Sequence, residues 1–376
     1  MLFDPRRLVG PAKGDARPPR SLLVYGAGWN QIPIIEASRR RGLRVVAIDR
    51  DPKAPGAPLA DRFHCISLRD HDAIVRATAH EDLDGIVARI SDAAGLESAH
   101  RLARSRGLPT ACPALVDAAT SKLALAEVCC ATGLRTPERL SPGAPIDFEI
   151  GAVVVRPDIT VEGKSGIRRV ASRAEFESAL TEATARSANA RVDVSRWIEG
   201  EDVSVLAELD RGCARRHALW DEWVALDREG RIRGIGCGMP SRFTDGPSPI
   251  DEALAQLARA FPESRCLVVV SFRIDPEGRP WLIEIHLGVG GDGIADRLLP
   301  AALEDWDSFD LLVRSQSGES AALSRAPARP RALVRGEHDW ELVVAENVAD
   351  LHAHVRAAIP LDWEWPRGLR PRSKLA

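Results

Sequence analysis

Apolar runs alternate with helical patterns over the first third of the chain. The run SLLVYGAG at 21–28 ends in glycines and is followed by a helical stretch at 30–42. Further buried-strand runs follow at 43–49 (LRVVAID) and 84–90 (DGIVARI). Strands that alternate with helices predict a parallel sheet covered by helices. We therefore expect an α/β domain over 21–115.

The following stretch changes to a long helical pattern. GLPTACP predicts a short strand and an exit loop, and residues 116–136 predict one helix that ends at Gly133 before Pro137. Downstream, the pattern predicts these elements in order: a strand at 151–158, a glycine-bearing loop returning to a strand at 159–170, a helix at 171–187 and two strand pieces at 192–209.

The last part of the chain predicts antiparallel strands and a hairpin. Strands are expected on both sides of a turn at 227–230, and a helix at 249–261 leads to two strands joined by the turn PEG. A glycine loop, VGGDG, then becomes a helix. Besides 21–115, the predicted divisions are a disordered lead-in at 1–20, a central domain at 116–317 with a flexible loop near 160–167, a linker at 318–331 and a C-terminal subdomain at 332–376.

Length and composition narrow the class of protein. The 376 residues are too many for one small core, and the apolar fraction of 45% is ordinary for a globular protein. The formal net charge of -3 excludes the broad positive field of a nucleic-acid binder. No apolar run approaches the roughly 20 residues that span a bilayer, and the seven cysteines show no CxxC spacing. We expect a cytoplasmic protein that binds neither nucleic acid nor membrane.

Lysine is rare in this chain, which makes a lysine within a motif informative. Arginine supplies most of the 51 basic side chains, and the five lysines are Lys13, Lys53, Lys122, Lys164 and Lys374. Arginine and lysine differ in geometry and hydration, so they are not interchangeable. Lys122 lies one turn into the predicted helix at 116–136, where a lysine is usually only solvated. The lysine bias favours a nucleotide contact instead.

The first strand ends in a glycine turn, Gly26-x-Gly28. Such a turn either brings backbone N–H groups to a ligand at a helix N-terminus or serves only a tight strand-to-helix turn. Gln31 replaces the third glycine of the dinucleotide fingerprint, whereas Asp49 has the spacing of a ribose-binding acid. An NAD-dependent oxidoreductase is therefore one alternative at this point.

The strand predicted at 151–158 carries a cation near its end and is followed by a glycine loop. Arg156 is near the end of that strand, and the loop GKSG occupies 163–166. A strand that ends in a cation before a flexible glycine loop suits a cover over nucleotide phosphates. An exposed hairpin is the alternative for the same segment.

The predicted hairpin near the end of the central domain carries a carboxylate and an imidazole. Glu284 and His286 are two residues apart on one strand, so both point to the same face. An unpaired charge within an apolar strand is costly. The pair is either satisfied by a neighbouring arginine such as Arg273 or forms a metal or phosphate site, because Mg²⁺ prefers a few carboxylates with phosphate oxygens.

In this order, the motifs resemble the ATP-grasp superfamily, in particular its carboxylate–amine ligases. The likeness covers about residues 21–320, where LADRF, DGIVARISD and GLPTACP fall at similar phrases of the family's N-terminal domain. The resemblance implies a parallel-sheet pre-ATP-grasp domain at 21–115 followed by a two-lobed ATP-grasp domain at 116–317. It also implies the cofactors ATP and Mg²⁺, and it disfavours the NAD alternative.

The resemblance carries roles to individual residues of this chain. Glu284 corresponds to a Mg²⁺ ligand, with His286 as an unusual partner, and Arg156 stands where the family has a lysine on the α-phosphate side. Arg156, Lys164 and Arg273 are the expected catalytic cations. The residues expected to bind the nucleotide are Lys122, Arg156, Gly163, Lys164, Ser165, Gly166, Glu199 and Asp202.

The chain also departs from the family pattern. Ser195 and Arg196 replace the usual hinge carboxylates, Ser271 replaces the first carboxylate of the metal-binding hairpin, and Gly288 replaces an arginine. One reading is a rebuilt site in which Arg273 supplies the phosphate cation. The ligands of such a rebuilt site are expected among Asp221, Glu222, His286 and Asp292. The other reading is a protein that has lost catalysis and binds a nucleotide or nothing.

The resemblance thus implies an ATP-dependent ligase that activates a small carboxylate as an acylphosphate and joins it to an amine or similar nucleophile. The expected partners are a small-molecule carboxylate and an amine, and the oligomeric state, a homo-oligomer included, is left open. A catalytically diverged nucleotide-binding protein is the first alternative, and an NAD-dependent oxidoreductase is the second.

Overall fold

A computed structural model gives the fold of the chain. The structure describes residues 20–160, 164–243, 248–291, 293–319, 327–336 and 339–357. Nearly all of the predicted lead-in at 1–20 and part of the predicted linker at 318–331 lie outside these residues.

Strands and helices alternate along the described chain. The strands are β1 (Ser21–Tyr25), β2 (Arg44–Asp49), β3 (Arg62–Cys65), β4 (Leu83–Ala88), β5 (Val153–Pro157), β6 (Arg168–Val170), β7 (Val192–Arg196), β8 (Glu201–Asp210), β9 (Cys213–Leu226), β10 (Ile232–Met239), β11 (Arg265–Ile274), β12 (Pro280–Leu287), β13 (Arg331–Arg335) and β14 (Trp340–Val344). The helices are α1 (Ile32–Arg40), α2 (His71–Ala77), α3 (Ala93–Ser105), α4 (Pro113–Thr120), α5 (Lys122–Thr132), α6 (Arg173–Arg186), α7 (Pro249–Ala260), α8 (Leu299–Ala302), α9 (Ser308–Gln316) and α10 (Val348–Ala357).

The N-terminal sheet is parallel, as the sequence predicts. Its strand order is β3-β2-β1-β4, and every residue of β1 is buried because the strand is covered on both faces. The short strand β3 was not predicted from the pattern. It lies at the sheet edge, and none of its residues is fully buried. Its sequence, RFHC, therefore contains no apolar run that would predict a strand.

A small three-stranded sheet follows, in the antiparallel order β6-β5-β7. Helix α6 covers one face of this sheet with Phe176, Ala179 and Ala183, all of which are buried. Ser172 caps the helix, because its side chain accepts a hydrogen bond from the backbone N–H of Glu175. We call this sheet with its helix the small lobe.

The large sheet has seven antiparallel strands in the order β12-β11-β8-β9-β10-β13-β14. One of its faces packs on α4, α5 and α7, and the other packs on the N-terminal domain and α9. Strand β13 pairs with β10, so that the strands of the predicted C-terminal subdomain complete the large sheet. Helix α10 buries Leu351 and Val355 against this end of the sheet.

Two local predictions were wrong. The predicted helix at 116–136 is two helices, α4 and α5, separated at Ser121, whose extended backbone and capping hydroxyl start the second helix. Gly133 ends α5 in the left-handed conformation at φ 72°, as the sequence predicts. The segment GLPTACP, at 107–113, forms no strand in the described structure. The carbonyl of Thr110 accepts a hydrogen bond from the N–H of Arg265, at the start of β11.

The described residues contain no helix that is both long enough and apolar enough to cross a membrane.

Candidate active site

The site residues lie where the small lobe meets the large sheet, and we call this junction the cleft. Strand β6 is bonded to the turn between β9 and β10: the N–H of Arg169 donates to the carbonyl of Gly230 at 2.8 Å. The N–H of Ile232 donates to the carbonyl of Ile167 at 3.1 Å. A Cβ atom at Gly230 would lie 2.2 Å from the carbonyl oxygen of Arg169, so the contact requires glycine. These bonds hold the loop before β6 above the large sheet.

Arg156 of the small lobe is fixed by a buried carboxylate. Its Nε donates to Oδ2 of Asp193 at 2.7 Å, and the Asp193 side chain is only 1% exposed. The Nη1 atom of Arg156 donates to the carbonyl of Ile283 in β12 at 3.3 Å. Arg156 thereby joins the small lobe to the large sheet.

Arg273 of β11 has a similar internal partner. Its Nε and Nη2 donate to the two carboxylate oxygens of Asp202 at 2.6 and 2.7 Å, which is a bidentate pair. The guanidinium also lies over the Trp197 ring, 4.1 Å from the centroid. Arg273 and Asp202 were both predicted at the nucleotide site, and in the structure they form this ion pair with each other.

Lys122 is the first residue of α5 and is buried. Its Nζ lies 3.4 Å from the carbonyl oxygen of Asp158 and 3.6 Å from Oε1 of Glu284. The Asp158 carboxylate accepts hydrogen bonds from the Ser121 hydroxyl and from the N–H of Leu123, so it ties the start of α5 to the small lobe. The break between α4 and α5 thus places the lysine in the cleft.

Lys164 reaches the same cleft from the loop before β6. Its Nζ lies 3.6 Å from Oε2 of Glu222, and its side chain is 40% exposed. Burial lowers the pKa of the Lys164 ammonium, but Glu222, Asp202 and Glu284 outweigh this effect and raise the pKa above its ordinary value. The ammonium is therefore charged over the whole physiological range.

Glu284 and His286 point to the same face of β12, as the sequence predicts. Oε2 of Glu284 lies 3.7 Å from Nε2 of His286, and the His286 side chain is half exposed. Burial raises the pKa of the Glu284 carboxyl, but His286, Lys122, Lys164 and Arg156 outweigh it and lower the pKa to about 2. Glu284 is therefore an ionised oxygen donor of the kind that Mg²⁺ prefers.

The predicted metal site includes two side chains, Glu284 and His286. Among the described residues, no group of three His, Cys, Asp or Glu side chains is arranged to hold a metal ion. Mg²⁺ commonly binds one or two protein carboxylates and completes its shell with phosphate oxygens and water. The donor set at Glu284 therefore fits a Mg²⁺ ion that arrives with a nucleotide.

A short chain of hydroxyl groups also crosses the site. Ser204 donates to Oε1 of Glu222 at 2.5 Å, and Ser204 and Ser271 are 2.8 Å apart. Ser271 is paired directly with Glu284 across β11 and β12. Ser271, where the family has a carboxylate, thus links the region of Glu284 to Glu222.

Several predicted residues stand at the edge of the cleft. The Ser165 hydroxyl accepts a hydrogen bond from Arg186 at 2.7 Å, and Gly166 adopts φ 74°. Glu199 is half exposed and lies 3.8 Å from Arg169. Gly163 lies outside the described residues, as does Asp292.

Asp221, one of the expected replacement ligands, lies on the opposite face of β9 from Glu222. It is buried and accepts hydrogen bonds from Ser241 at 2.6 Å and from Arg242 at 3.0 Å. Of the four alternatives for a rebuilt site, Asp221 thus holds the start of the loop after β10 and faces away from Glu222.

Trp197 was not singled out from the sequence. The guanidinium groups of Arg273 and Arg169 both lie over its ring, at 4.1 and 5.5 Å from the centroid. Its indole N–H is buried and has no hydrogen-bond partner among the described residues. The position of Trp197 directly after the predicted hinge residues was the available signal.

The glycine turn of the N-terminal domain is occupied by its own side chains. Asp49 accepts a hydrogen bond from the N–H of Ala27 at 2.8 Å, and Gln31 accepts one from the N–H of Gly28 at 3.1 Å. The groups that a dinucleotide would use are therefore engaged within the turn. This arrangement argues against the NAD alternative.

Comparisons with known proteins show what this chain is similar to. No protein-family model matches the chain. A formate-dependent phosphoribosylglycinamide formyltransferase of Burkholderia mallei (strain SAVP1) is 42% identical over 53 residues, which is 14% of this chain and 13% of that protein's length.

Two solved structures are similar over most of the chain. N5-carboxyaminoimidazole synthetase from Staphylococcus aureus complexed with ADP superposes with a TM-score of 0.67 at 14% identity, covering 90% of this chain and 96% of that one. L-amino acid ligase from Bacillus licheniformis gives a TM-score of 0.66 at 17% identity, covering 84% and 79%. These likenesses establish the fold alone, and the chain therefore has the ATP-grasp fold that its motifs predict.

Proposed function

We propose that this protein is an ATP-dependent ligase that activates a carboxylate as an acylphosphate and joins it to an amine. The observation that carries the proposal is the position of Lys122 and Lys164 in one cleft. Each lies 3.6 Å from a carboxylate, Glu284 and Glu222 respectively, which is longer than a hydrogen bond. Lys122 also lies 3.4 Å from the carbonyl oxygen of Asp158. Because neither ammonium is in a close ion pair, we propose that both are available to a polyphosphate.

The nucleotide is proposed to take the lysines from their present partners. Lys122 projects from α5 and Lys164 from the loop above the cleft, so a polyphosphate between them has a cation on each side. Fixed positive groups that face the transferred phosphoryl group stabilise the charge that develops on it. Arg156 and Arg273 are proposed to add to this positive field while they stay bound to Asp193 and Asp202.

Glu284 is the residue proposed to hold Mg²⁺, with His286 beside it. Such an ion supplies charge neutralisation between the phosphates when it is bound. Glu284 is ionised because its pKa is about 2, so it needs no deprotonation to serve as a ligand. The loop that carries Lys164 is proposed to exclude water, which protects an acylphosphate from hydrolysis.

The first substrates to test follow from the similar structures. One of them is a synthetase complexed with ADP, and another is an L-amino acid ligase. We therefore propose adenine nucleotides as the cofactor class and amino acids and other small carboxylates as the first panel of acids.

The test is hydroxamate formation with ATP, Mg²⁺, hydroxylamine and the panel of acids. An acylphosphate reacts with hydroxylamine without any need for the natural amine. We expect ADP and hydroxamate in equal amounts with one class of acid, and loss of both in Lys122→Met. The control is Lys53→Met, an exposed lysine outside the cleft, which keeps the activity. Nucleotide binding without hydroxamate from any acid would contradict the proposal and favour a non-catalytic nucleotide-binding protein.

A further inference from the structure

The carboxylates around the cleft have different partners. Asp193 and Asp202 are each bound by an arginine, and Glu284 is bordered by Lys122 and His286. Glu222 differs, because the cation that faces it is Lys164. Lys164 belongs to a loop, and its side chain is 40% exposed. The proposed function uses Lys164 for the phosphates and leaves Glu222 without a role.

Among the described residues, the Glu222 carboxylate accepts a hydrogen bond at one oxygen. Ser204 donates its hydroxyl hydrogen to Oε1 of Glu222. A serine hydroxyl has one hydrogen, so the 2.8 Å contact between Ser204 and Ser271 requires Ser271 to be the donor there. The chain from Ser271 through Ser204 therefore fixes Oε1, and Oε2 is left facing Lys164.

The register of the strands places this carboxylate beside the phosphate region. Ser204 is paired with Trp220, two residues from Glu222 on the same face of the large sheet. Ser271 is paired with Ser204 on one side and with Glu284 on the other. These pairs form a row across the sheet, from Trp220 through Ser204 and Ser271 to Glu284, the proposed Mg²⁺ ligand. Glu222 lies two residues along β9 from the start of this row.

We propose that Glu222 is the proton acceptor for the amine in the second half of the reaction; this inference rests on the proposed function. When Lys164 moves to the phosphates, Oε2 of Glu222 becomes an unpaired carboxylate oxygen in the cleft. The amine nitrogen forms a bond to the acyl carbon, and the bond from that carbon to the phosphate oxygen breaks. Inorganic phosphate leaves with the electron pair and takes up the proton that the bonded nitrogen releases, whereas Oε2 of Glu222 takes the earlier proton that an ammonium nitrogen must lose before it can attack.

The hydroxyl chain explains why a carboxylate in this place is suited to the task. Ser204 keeps Oε1 occupied, so the carboxylate cannot turn to chelate a cation with both oxygens without breaking that bond. Its side chain is 20% exposed, compared with 1% for Asp193, so an incoming amine has access to it. Ser204 and Ser271 are positioning residues in this account.

The experiment compares two nucleophiles in wild type and Glu222→Gln, with ATP, Mg²⁺ and the acid that gives hydroxamate. Hydroxylamine is a weakly basic amine that is largely uncharged at neutral pH, whereas ammonium chloride supplies a nitrogen that must first lose a proton. We expect Glu222→Gln to keep the hydroxamate rate and to lose amide formation from ammonium by about 10²–10⁴-fold, the usual contribution of a general base. Glu263→Gln, an exposed glutamate outside the cleft, is the matched control.

Each outcome separates this inference from the proposed function. Retained hydroxamate formation shows that the variant is folded and still makes the acylphosphate. Equal amide rates in wild type and Glu222→Gln overturn the inference and leave the ligase proposal intact. Loss of hydroxamate together with amide also overturns it, because Glu222 would then serve the nucleotide or its metal. Absence of hydroxamate in wild type contradicts the proposed function itself.

Discussion

Two kinds of ion pair meet in the cleft, and they differ in length and in the elements that they join. The arginine pairs, Arg156–Asp193 and Arg273–Asp202, are hydrogen-bonded at 2.6–2.7 Å between strands of the sheets. The lysine pairs, Lys122–Glu284 and Lys164–Glu222, are 3.6 Å long and bring a helix start and a loop to strands. Among these four pairs, the two lysines are in the long ones and the two arginines in the short ones.

This difference separates groups that fix the cleft from groups that can exchange partners. A close hydrogen bond between a guanidinium and a carboxylate is strong and directional, and the Arg273–Asp202 pair has two of them. Removing one partner of either arginine pair leaves a buried charge. A lysine at 3.6 Å is a flexible point charge that loses little when a phosphate replaces the carboxylate. The arginine pairs therefore act as structure, and the lysine pairs are the part of the site open to a ligand.

The largest effect is expected from breaking an arginine pair. Asp193→Ala leaves Arg156 buried without its partner and should cost about 3–5 kcal/mol of unfolding free energy. Glu222→Ala, the matched change in a lysine pair, should cost about 1 kcal/mol because Lys164 is part exposed. Denaturant unfolding of the two variants measures both values. Equal losses would remove the distinction between the two kinds of pair.

The next effect concerns ATP affinity. Lys122→Met and Lys164→Met should each weaken ATP binding about 10–100-fold, because each removes a charged contact of about 1.5–3 kcal/mol. The unfolding free energy of Lys164→Met should stay close to wild type, because that side chain is 40% exposed. Lys122→Met should lose some stability as well, because Lys122 is buried beside Glu284. Calorimetric titration gives the affinities, with Lys53→Met as the control that retains wild-type binding. Unchanged affinity in both cleft variants would contradict the exchange of partners.

Acid should remove the stabilisation that Glu284 gains from its neighbours. Its pKa is lowered from 4.5 to about 2, so this stabilisation is complete above pH 4.5 and is lost as the pH falls through about 2. The effect is expected to be about 1–2 kcal/mol after discounting for partial exposure. Unfolding of wild type and Glu284→Gln in metal-free buffer should give a stability gap that closes with acid. A gap that is constant from pH 6 to about 2 would be the contrary result.

The smallest effect is expected at the outer side of the tryptophan stack. Arg169 lies 5.5 Å from the Trp197 ring centroid and is part exposed, whereas Arg273 lies at 4.1 Å. Arg169→Gln should therefore cost only about 0.5–1 kcal/mol, the usual range for an exposed cation–π contact. Thermal unfolding checks this value. A loss as large as that of Asp193→Ala would place Arg169 among the structural arginines.

The sequence was sufficient for most of the order of the elements, apart from β3, the break between α4 and α5 and the strand expected in GLPTACP. It also drew attention to cations that the structure brings together. Apolar runs predicted strands β1, β2 and β4, and the rarity of lysine drew attention to Lys122 and Lys164. The structure brings both lysines to one cleft with Glu284, although the three residues belong to segments far apart in the chain. Periodicity and composition carry this information because burial and charge act locally along the sequence.

The partners of these groups were not available from the sequence. Whether Lys164 meets Glu222 or Asp221 depends on which face of β9 each occupies, and a one-residue change of register would exchange them. The row from Ser204 to Glu284 likewise depends on pairing among three strands and on the irregularity after Ser271. The break at Ser121, which moves Lys122 to a helix start, depends on the distant carboxylate of Asp158.

The central claim is that the cleft binds ATP with Mg²⁺ through groups that are now loosely paired. Its most direct test is calorimetric titration of ATP, with and without Mg²⁺, into wild type and Glu284→Ala. We expect binding that depends on Mg²⁺ in wild type and is weaker in the variant. Absence of ATP binding under both conditions, or equal binding by the two proteins, would contradict the account.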